Sequence, residues 1–303
     1  MIGFEKYKDR AALVIDGGTL RATFLPEDGA KMASLIDMRT GKELLLTKEG
    51  ARYRVLDYDG SYVDAECSAF DDMFPTIDPY TPSEGAYRDL TYPDHGEVCR
   101  LPFSAEIEGE SICFAAESRL FPISYRKCVR PTDEGLAIDY TYENRGDEDF
   151  PFIWAGHMML RGEDGMRLCT PFAPDAPIEM VFATEGYPHD TLPRDRLTGF
   201  DAERGAAYKF YYTEPMREGF FRVTYPDGRE LSVTFDAKKI PYLGVWVNNG
   251  EFQGIYNIAP EACTLPFDAP DKAASRGYTA SIPAKSTLTF TVHLSIKHKE
   301  KPL

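Results

Sequence analysis

Regular alternation of apolar and polar residues is the feature that most limits the fold of this chain. The segment at 135–146 reads GLAIDYTYENRG, and the segment at 287–296 reads TLTFTVHLSI. Each places an apolar side chain at every second position: Leu136, Ile138, Tyr140 and Tyr142 in the first, and Leu288, Phe290, Val292, Leu294 and Ile296 in the second. Because side chains alternate between the two faces of a strand, this pattern predicts strands with one buried face.

A third segment adds the turn between two such strands. At 221–236 the chain reads FRVTYPDGRELSVTFD, in which two alternating runs flank Pro226, Asp227 and Gly228. Those three residue types favour tight turns, so the segment predicts a β-hairpin. The 22 prolines and 24 glycines interrupt the chain at short intervals, and no long segment has a helical period. We therefore predict an all-β protein, built as a large antiparallel β-sandwich.

No linker or repeat divides the sequence. The polar, turn-rich stretch at 182–205 predicts a long loop across one end of the sheets. We therefore expect a single domain over residues 1–303, although this is long for one unit.

Charge and cysteine content restrict the partners and the compartment. The formal net charge is −15, which repels nucleic acid and anionic lipid. The chain has no run of 18 apolar residues and its first residues lack a signal-peptide core, so we expect no membrane contact and a cytoplasmic location. Six cysteines are scattered without a C-x-x-C pair, and this favours reduced thiols over a disulfide framework.

Familiar catalytic motifs are absent, but four stretches are unusual for a plain strand protein. There is no nucleotide-binding glycine motif and no nucleophile elbow, and none of the five histidines is paired at metal spacing, so we expect no cofactor and no metal. The four stretches are YPDHGEVCRLPF at 92–103, FIWAGHMML at 152–160, the Glu261 segment at 240–268, and AFDDMFPTIDPY at 69–80. Each alone also fits a structural role, as a turn, a core histidine or a solvated acid.

Taken in order, these segments resemble one family. The segments LRATFLPEDGAKMASLID, DHGEVCR, PFIWAGHMML and YLGVWVNNGEFQGIYNIAPEACTLPFD are similar to successive segments of the aldose 1-epimerase (galactose mutarotase-like) family. The resemblance implies a galactose mutarotase-like sandwich that acts on a small-molecule sugar. It also implies that His95 binds the sugar ring, that His157 is the general acid and that Glu261 is the general base.

The chemistry of anomer exchange fits these residue types. A base takes the proton from the anomeric O1 and an acid protonates the ring O5, after which the ring opens and recloses on the other face. Burial would raise the pKa of Glu261, and a nearby carboxylate would keep His157 protonated. Trp246 offers an apolar face to the sugar, and Arg100 and Asp72 are candidates for binding its hydroxyl groups.

The sequence also departs from the family pattern. The Asn-Arg pair that typical members carry in the first third of the chain is missing, and Met158 follows His157 where an aromatic residue is usual. Asp190 is the candidate for the aspartate that usually binds a sugar hydroxyl.

Two other functions fit the same fold. One is a non-catalytic carbohydrate-binding protein, and the other is a glycoside hydrolase or lyase that pairs Glu261 with Asp71 or Asp72.

The chain is expected to be a monomer or a homodimer.

Overall fold

A computed structural model describes residues 1–187, 193–200 and 205–299, and most of its regular structure is antiparallel β-strand. In chain order the strands are β1 (Ile2–Tyr7), β2 (Arg10–Asp16), β3 (Leu20–Leu25), β4 (Lys31–Asp37), β5 (Lys42–Glu43), β6 (Phe70–Met73), β7 (Ser104–Glu108), β8 (Ser111–Glu117), β9 (Ile123–Thr132), β10 (Gly135–Asn144), β11 (Phe150–Pro151), β12 (Ala155–Met158), β13 (Leu160–Arg161), β14 (Met166–Cys169), β15 (Ile178–Ala183), β16 (Gly199–Phe200), β17 (Ala206–Tyr212), β18 (Phe220–Thr224), β19 (Arg229–Phe235), β20 (Tyr242–Asn249), β21 (Tyr256–Cys263), β22 (Ser281–Ile282) and β23 (Thr287–His298). Helical structure among these residues is limited to α1 (Arg194–Leu197), α2 (Pro270–Ala274) and the 3-10 turns Tyr62–Asp64 and Val98–Arg100.

The strands form two large sheets. The larger sheet has the order β1-β2-β3-β4-β6-β12-β21-β20-β17-β15, with β5 beside β4 and β13 beside β21. The smaller sheet has the order β16-β14-β18-β19-β23-β10-β9-β8-β7. A short pair, β11 and β22, lies apart from both. This is the all-β antiparallel architecture that the alternating sequence predicts.

The core fills the space between the two sheets. Phe24 of the larger sheet packs on Phe114 of the smaller sheet with ring centroids 5.5 Å apart, and Trp154 packs edge-on against Phe290 at 4.7 Å. The apolar positions of β10 are all buried, and in β23 the side chains from Phe290 onward alternate as predicted. The predicted hairpin is also confirmed, because β18 pairs with β19 across the turn at 225–228.

The cysteines differ from the prediction. Cys113 on β8 lies directly opposite Cys128 on β9, and the two form a disulfide, so the expectation of reduced thiols is wrong for this pair. The strand register brings together two residues that are 15 positions apart in the sequence, and spacing alone does not reveal this. Cys67, Cys99, Cys169 and Cys263 are free.

No helix among the described residues is long and apolar enough to cross a membrane. The cytoplasmic location remains a prediction.

Candidate active site

A cavity of about 850 Å³ lies over the central strands of the larger sheet. His157 on β12, Glu261 on β21 and Lys209 on β17 all line it. The opposite face of the larger sheet packs on the smaller sheet. There, Trp154, just before β12, contacts Phe290, and Asp72 on β6 contacts Lys127. One face of the sheet therefore supports the core and the other supports the cavity.

Strand register brings the two predicted catalytic residues together. His157 pairs directly with Glu261 across β12 and β21, and Glu261 in turn pairs with Gly244 on β20. The distance from His157 Nε2 to Glu261 Oε1 is 3.4 Å. We call this line of paired residues the catalytic row. Gly244 lets the ring of Tyr211, its partner on β17, lie directly against this row, because a Cβ at Gly244 would meet that ring at 2.6 Å.

Glu261 is a buried carboxylate with unused hydrogen-bonding capacity. Its side chain is fully buried, and neither carboxylate oxygen has an aligned hydrogen-bond donor among the described residues. Lys209 Nζ lies 2.8 Å from Oε2 and 2.7 Å from Asp268 Oδ1, so one lysine serves two carboxylates. The contact with Glu261 is therefore an ion pair without hydrogen-bond alignment. A buried acceptor left open beside a cavity is suited to a ligand hydroxyl group.

Burial and charge set the ionisation of the carboxylates. Burial raises the pKa of Glu261 as the sequence predicts, although the positive charge of Lys209 acts in the opposite direction. Burial also acts to raise the pKa of Asp268, but Lys209 and the hydroxyl of Tyr211 outweigh it and the pKa is lowered. Of the two carboxylates that Lys209 contacts, Glu261 is therefore the one whose proton affinity is raised.

His157 differs from the prediction that a carboxylate keeps it protonated. Burial, followed by the positive charges of His95 and Lys209, lowers the pKa of His157 well below its usual value. The imidazole is therefore neutral near pH 7 despite its proximity to Glu261. Its Nδ1 is buried and has no hydrogen-bond partner among the residues that the structure describes.

His95 is held by the turn that contains it. Its Nδ1 lies 2.7 Å from Asp94 Oδ1, and its ring stacks on Tyr62 with centroids 4.1 Å apart. Asp94 Oδ2 also accepts a hydrogen bond from the Tyr62 backbone at 2.8 Å. Gly96 adopts a positive φ of 78°, and a Cβ there would lie 2.3 Å from the Phe74 carbonyl oxygen. The Asp-His-Gly sequence therefore fixes both the ring and the backbone on which it sits.

Tyr62 connects His95 to a buried ion pair. Its hydroxyl donates to Asp71 Oδ2 at 2.8 Å, and Lys31 Nζ lies 2.8 Å from the same oxygen. Asp71 pairs with His157 across β6 and β12, so it extends the catalytic row by one strand. Asp71 does not line the cavity, because Tyr62 and Lys31 occupy its carboxylate.

Arg100 and Asp72, which we predicted to bind sugar hydroxyls, lie outside the cavity. The Arg100 guanidinium donates to backbone carbonyls in two segments, including Gly96 at 2.9 Å and Gly60 at 3.1 Å, so it joins the 57–60 loop to the His95 turn. Asp72 lies between the sheets and accepts a hydrogen bond from Lys127 Nζ at 2.8 Å. Both side chains therefore have structural partners in place of a ligand.

Trp246 does line the cavity, in the row next to the catalytic row. Asp190, the other predicted hydroxyl-binding residue, lies outside the described residues.

Sequence reasoning missed the charged residues of the cavity that surround Glu261, and two of them, Lys209 and Asp268, form its ion-pair network. Lys209 lies within the apolar strand AAYKFYY, and a lone lysine in such a strand could have signalled a buried ion pair. Asp268 ends the segment that contains Glu261, but no pattern there indicates that it shares a lysine with that residue.

Structural comparison identifies the fold. No protein-family model matches the chain, and no curated protein matches it significantly. Among solved structures it superposes on a candidate aldose 1-epimerase from Escherichia coli K12 with a TM-score of 0.65 at 14% identity, over 98% of this chain and 100% of that chain. A galactose mutarotase-like protein from Lactobacillus casei gives 0.65 at 17% identity, over 94% and 100% of the two chains. One from Clostridium acetobutylicum gives 0.66 at 13% identity, over 99% of each chain.

At these identities the likeness concerns the fold. The chain therefore has the galactose mutarotase-like fold over nearly its whole length.

Proposed function

We propose that this protein is an aldose 1-epimerase, which interconverts the α and β anomers of a sugar. The observation that carries the proposal is the catalytic row: Glu261 and His157 lie 3.4 Å apart, both line the cavity, and neither oxygen of the carboxylate has a hydrogen-bond partner among the described residues. The shared fold with mutarotase-like proteins supports the same function.

Ring opening removes a proton from O1 of the sugar and adds a proton to O5. The pair of Glu261 and His157 can do both when the two residues together hold one proton. Glu261 takes the proton from O1 while His157 gives a proton to O5, and the C1–O5 bond breaks. After rotation about C1–C2, the O5 hydroxyl attacks the other face of the aldehyde, and the protons return. His95 and Tyr62 line the same cavity beside His157.

A bound sugar would stabilise the charged forms of this pair. Burial disfavours the charged forms of both Glu261 and His157. A sugar hydroxyl that donates to Glu261 would fill the missing hydrogen bond and stabilise the carboxylate next to a protonated imidazole. The pair then holds its proton on the histidine, where it is needed for O5.

The glycoside hydrolase alternative has less support from the geometry. It needs a second carboxylate beside the bond to be cleaved. Asp72 lies on the opposite face of the sheet and is bound to Lys127, and Asp71 is bound to Lys31 and Tyr62. Asp268 does line the cavity near Glu261, but its Oδ1 is engaged by both Lys209 and the Tyr211 hydroxyl.

The test is anomer exchange over a panel of hexoses, pentoses, their disaccharides and hexose phosphates, followed by polarimetry or NMR. The proposal predicts faster approach to equilibrium for at least one sugar. Saturable binding without faster exchange would select a non-catalytic carbohydrate-binding protein instead, and release of new reducing ends from oligosaccharides would select a hydrolase.

A further inference from the structure

The cavity extends beyond the catalytic row into a region lined by aromatic side chains. Trp246, Phe182 and Phe252 form a triangle in which the ring centroids are 5.8, 5.7 and 5.7 Å apart. We call these residues the aromatic triad. Met159 and Ile255 line the cavity close to it. This half of the cavity therefore offers flat apolar surface, in contrast to the charged half around Glu261.

Strand register fixes the separation of the triad from the catalytic row. Trp246 pairs with Ala259 on β21, which is two residues from Glu261, and with Lys209 on β17. Phe182 pairs with Lys209 from the other side. Two residues of a strand span roughly 6.6 to 6.8 Å. A group attached to a sugar at Glu261 can therefore reach the triad within the same cavity.

The triad is open to solvent while the amide groups beside it are engaged. Phe182 is 40% exposed and Phe252 is 45% exposed. The Asn248 side chain is bonded to the Phe252 backbone through both its oxygen and its nitrogen, and Gln253 is bonded to Lys48 and to the Val63 carbonyl. Such a surface suits a sugar ring, whose C–H face can pack on aromatic rings while its hydroxyl groups remain in water.

Size and charge narrow the class of substrate. The volume of about 850 Å³ lies in the upper part of the range of about 300 to 1,000 Å³ that accommodates drug-sized ligands, so one monosaccharide leaves space unfilled. The charged side chains that line the cavity are three Lys or Arg and four Asp or Glu. Lys209, Lys272 and Arg276 each contact one of these carboxylates, which disfavours a phosphate group on the sugar.

We propose that the aromatic triad is a second sugar subsite and that the substrate is a reducing disaccharide. The reducing ring lies at Glu261 and the second ring packs on the triad. Because the anomeric hydroxyl must be free, the second ring is attached through another position of the first. This inference rests on the proposed epimerase function for the reaction, but the subsite itself concerns binding.

The experiment compares each monosaccharide with disaccharides that have the same reducing ring: glucose with maltose and cellobiose, and galactose with galactobiose. We expect a higher kcat/KM for at least one disaccharide than for its monosaccharide. Replacing Phe252 by Ala, or Phe182 by Ala, should lower that disaccharide value about five- to tenfold and change the monosaccharide value less than about twofold. Phe4→Ala is the matched control, because Phe4 is 80% exposed on β1 at the far edge of the same sheet.

Two outcomes separate the subsite from the epimerase function. If monosaccharides exchange faster but the Phe252 and Phe182 variants alter both sugar classes equally, or neither, the subsite is overturned and the epimerase stands. If no sugar exchanges faster, the epimerase fails, and calorimetric titration with the same disaccharides decides on the subsite. Binding that weakens in the Phe252 variant supports it, and absence of binding overturns it.

Discussion

Two buried ion pairs, each with its carboxylate on the larger sheet, differ in what surrounds them. Asp72 meets Lys127 at 2.8 Å between the two sheets, and the same lysine nitrogen donates to the Ala30 carbonyl at 2.7 Å. Glu261 meets Lys209 at the same distance on the other face, and both of its oxygens lack an aligned hydrogen bond, whereas Asp72 lacks one only at Oδ1. The first pair is enclosed by protein, and the second borders a cavity. A buried charge therefore indicates function here only where the group also lines the cavity.

Replacing Glu261 by Gln should have the largest effect, and that effect should be on the rate of anomer exchange. We expect anomer exchange to fall by at least about a hundredfold, because the amide cannot accept the proton from O1. Stability should change little, since Lys209 keeps Asp268 as its counter-charge after the substitution. Exchange rate and thermal unfolding are measured on the same preparation, and an active Glu261→Gln variant would exclude this residue as the base.

Replacing Asp72 by Asn should lower the stability of the protein and leave the rate of anomer exchange unchanged. The change leaves Lys127 buried without its counter-charge, and we expect a loss of about 3 to 5 kcal/mol in the free energy of unfolding. The folded fraction should keep its kcat, because Asp72 lies on the face away from the cavity. Denaturant unfolding and kinetics per folded molecule check both parts, and loss of kcat without loss of stability would contradict the assignment.

Replacing Asp94 by Asn tests the support of His95. The amide still fits the turn but no longer offers a carboxylate to Nδ1, so the ring loses its fixed orientation. We expect kcat to fall about tenfold, as for a small misplacement of a binding group. Asp9→Asn is a control for the charge change, because Asp9 accepts a hydrogen bond from the Tyr53 backbone in an exposed position. Equal effects of the two substitutions would remove the special role of Asp94.

Replacing Lys209 by Met should shift the pH dependence of exchange. The charge of Lys209 lowers the pKa of both Glu261 and His157, so its removal raises both. Activity requires one proton on the pair, and the pair must lose its second proton as the pH rises before it becomes active. The acid limb of the pH–rate profile should therefore move to higher pH. An unchanged limb would show that Lys209 does not act on the pair.

The sequence predicts the strands of this fold well, because a period of two requires only local information. The alternation in β10 and the turn between β18 and β19 were visible without any long-range contact. The disulfide between Cys113 and Cys128 was not, because it depends on the register of β8 and β9.

The candidate site was predictable only in part. The resemblance singled out His95, His157 and Glu261, and the chemistry of sugar binding suggested Trp246; all four line one cavity. Arg100 was misplaced because its partners are backbone carbonyls, which no residue pattern reveals. The charge state of His157 was also misjudged, because its pKa is lowered by burial first and then by the charges of His95 and of Lys209, which lies on a strand more than 50 residues away in the chain. The single lysine in the apolar strand β17 was the one local signal of a charge near the site.

Magnetisation exchange between the α and β anomers at equilibrium tests the central claim most directly. The measurement uses a sugar that calorimetry shows to bind, with wild-type protein and with the Glu261→Gln variant. The account predicts exchange cross-peaks that grow with wild-type concentration and fall to the background rate in the variant, while the sugar still binds. Background exchange with saturated wild-type protein, or equal exchange with both proteins, would contradict it.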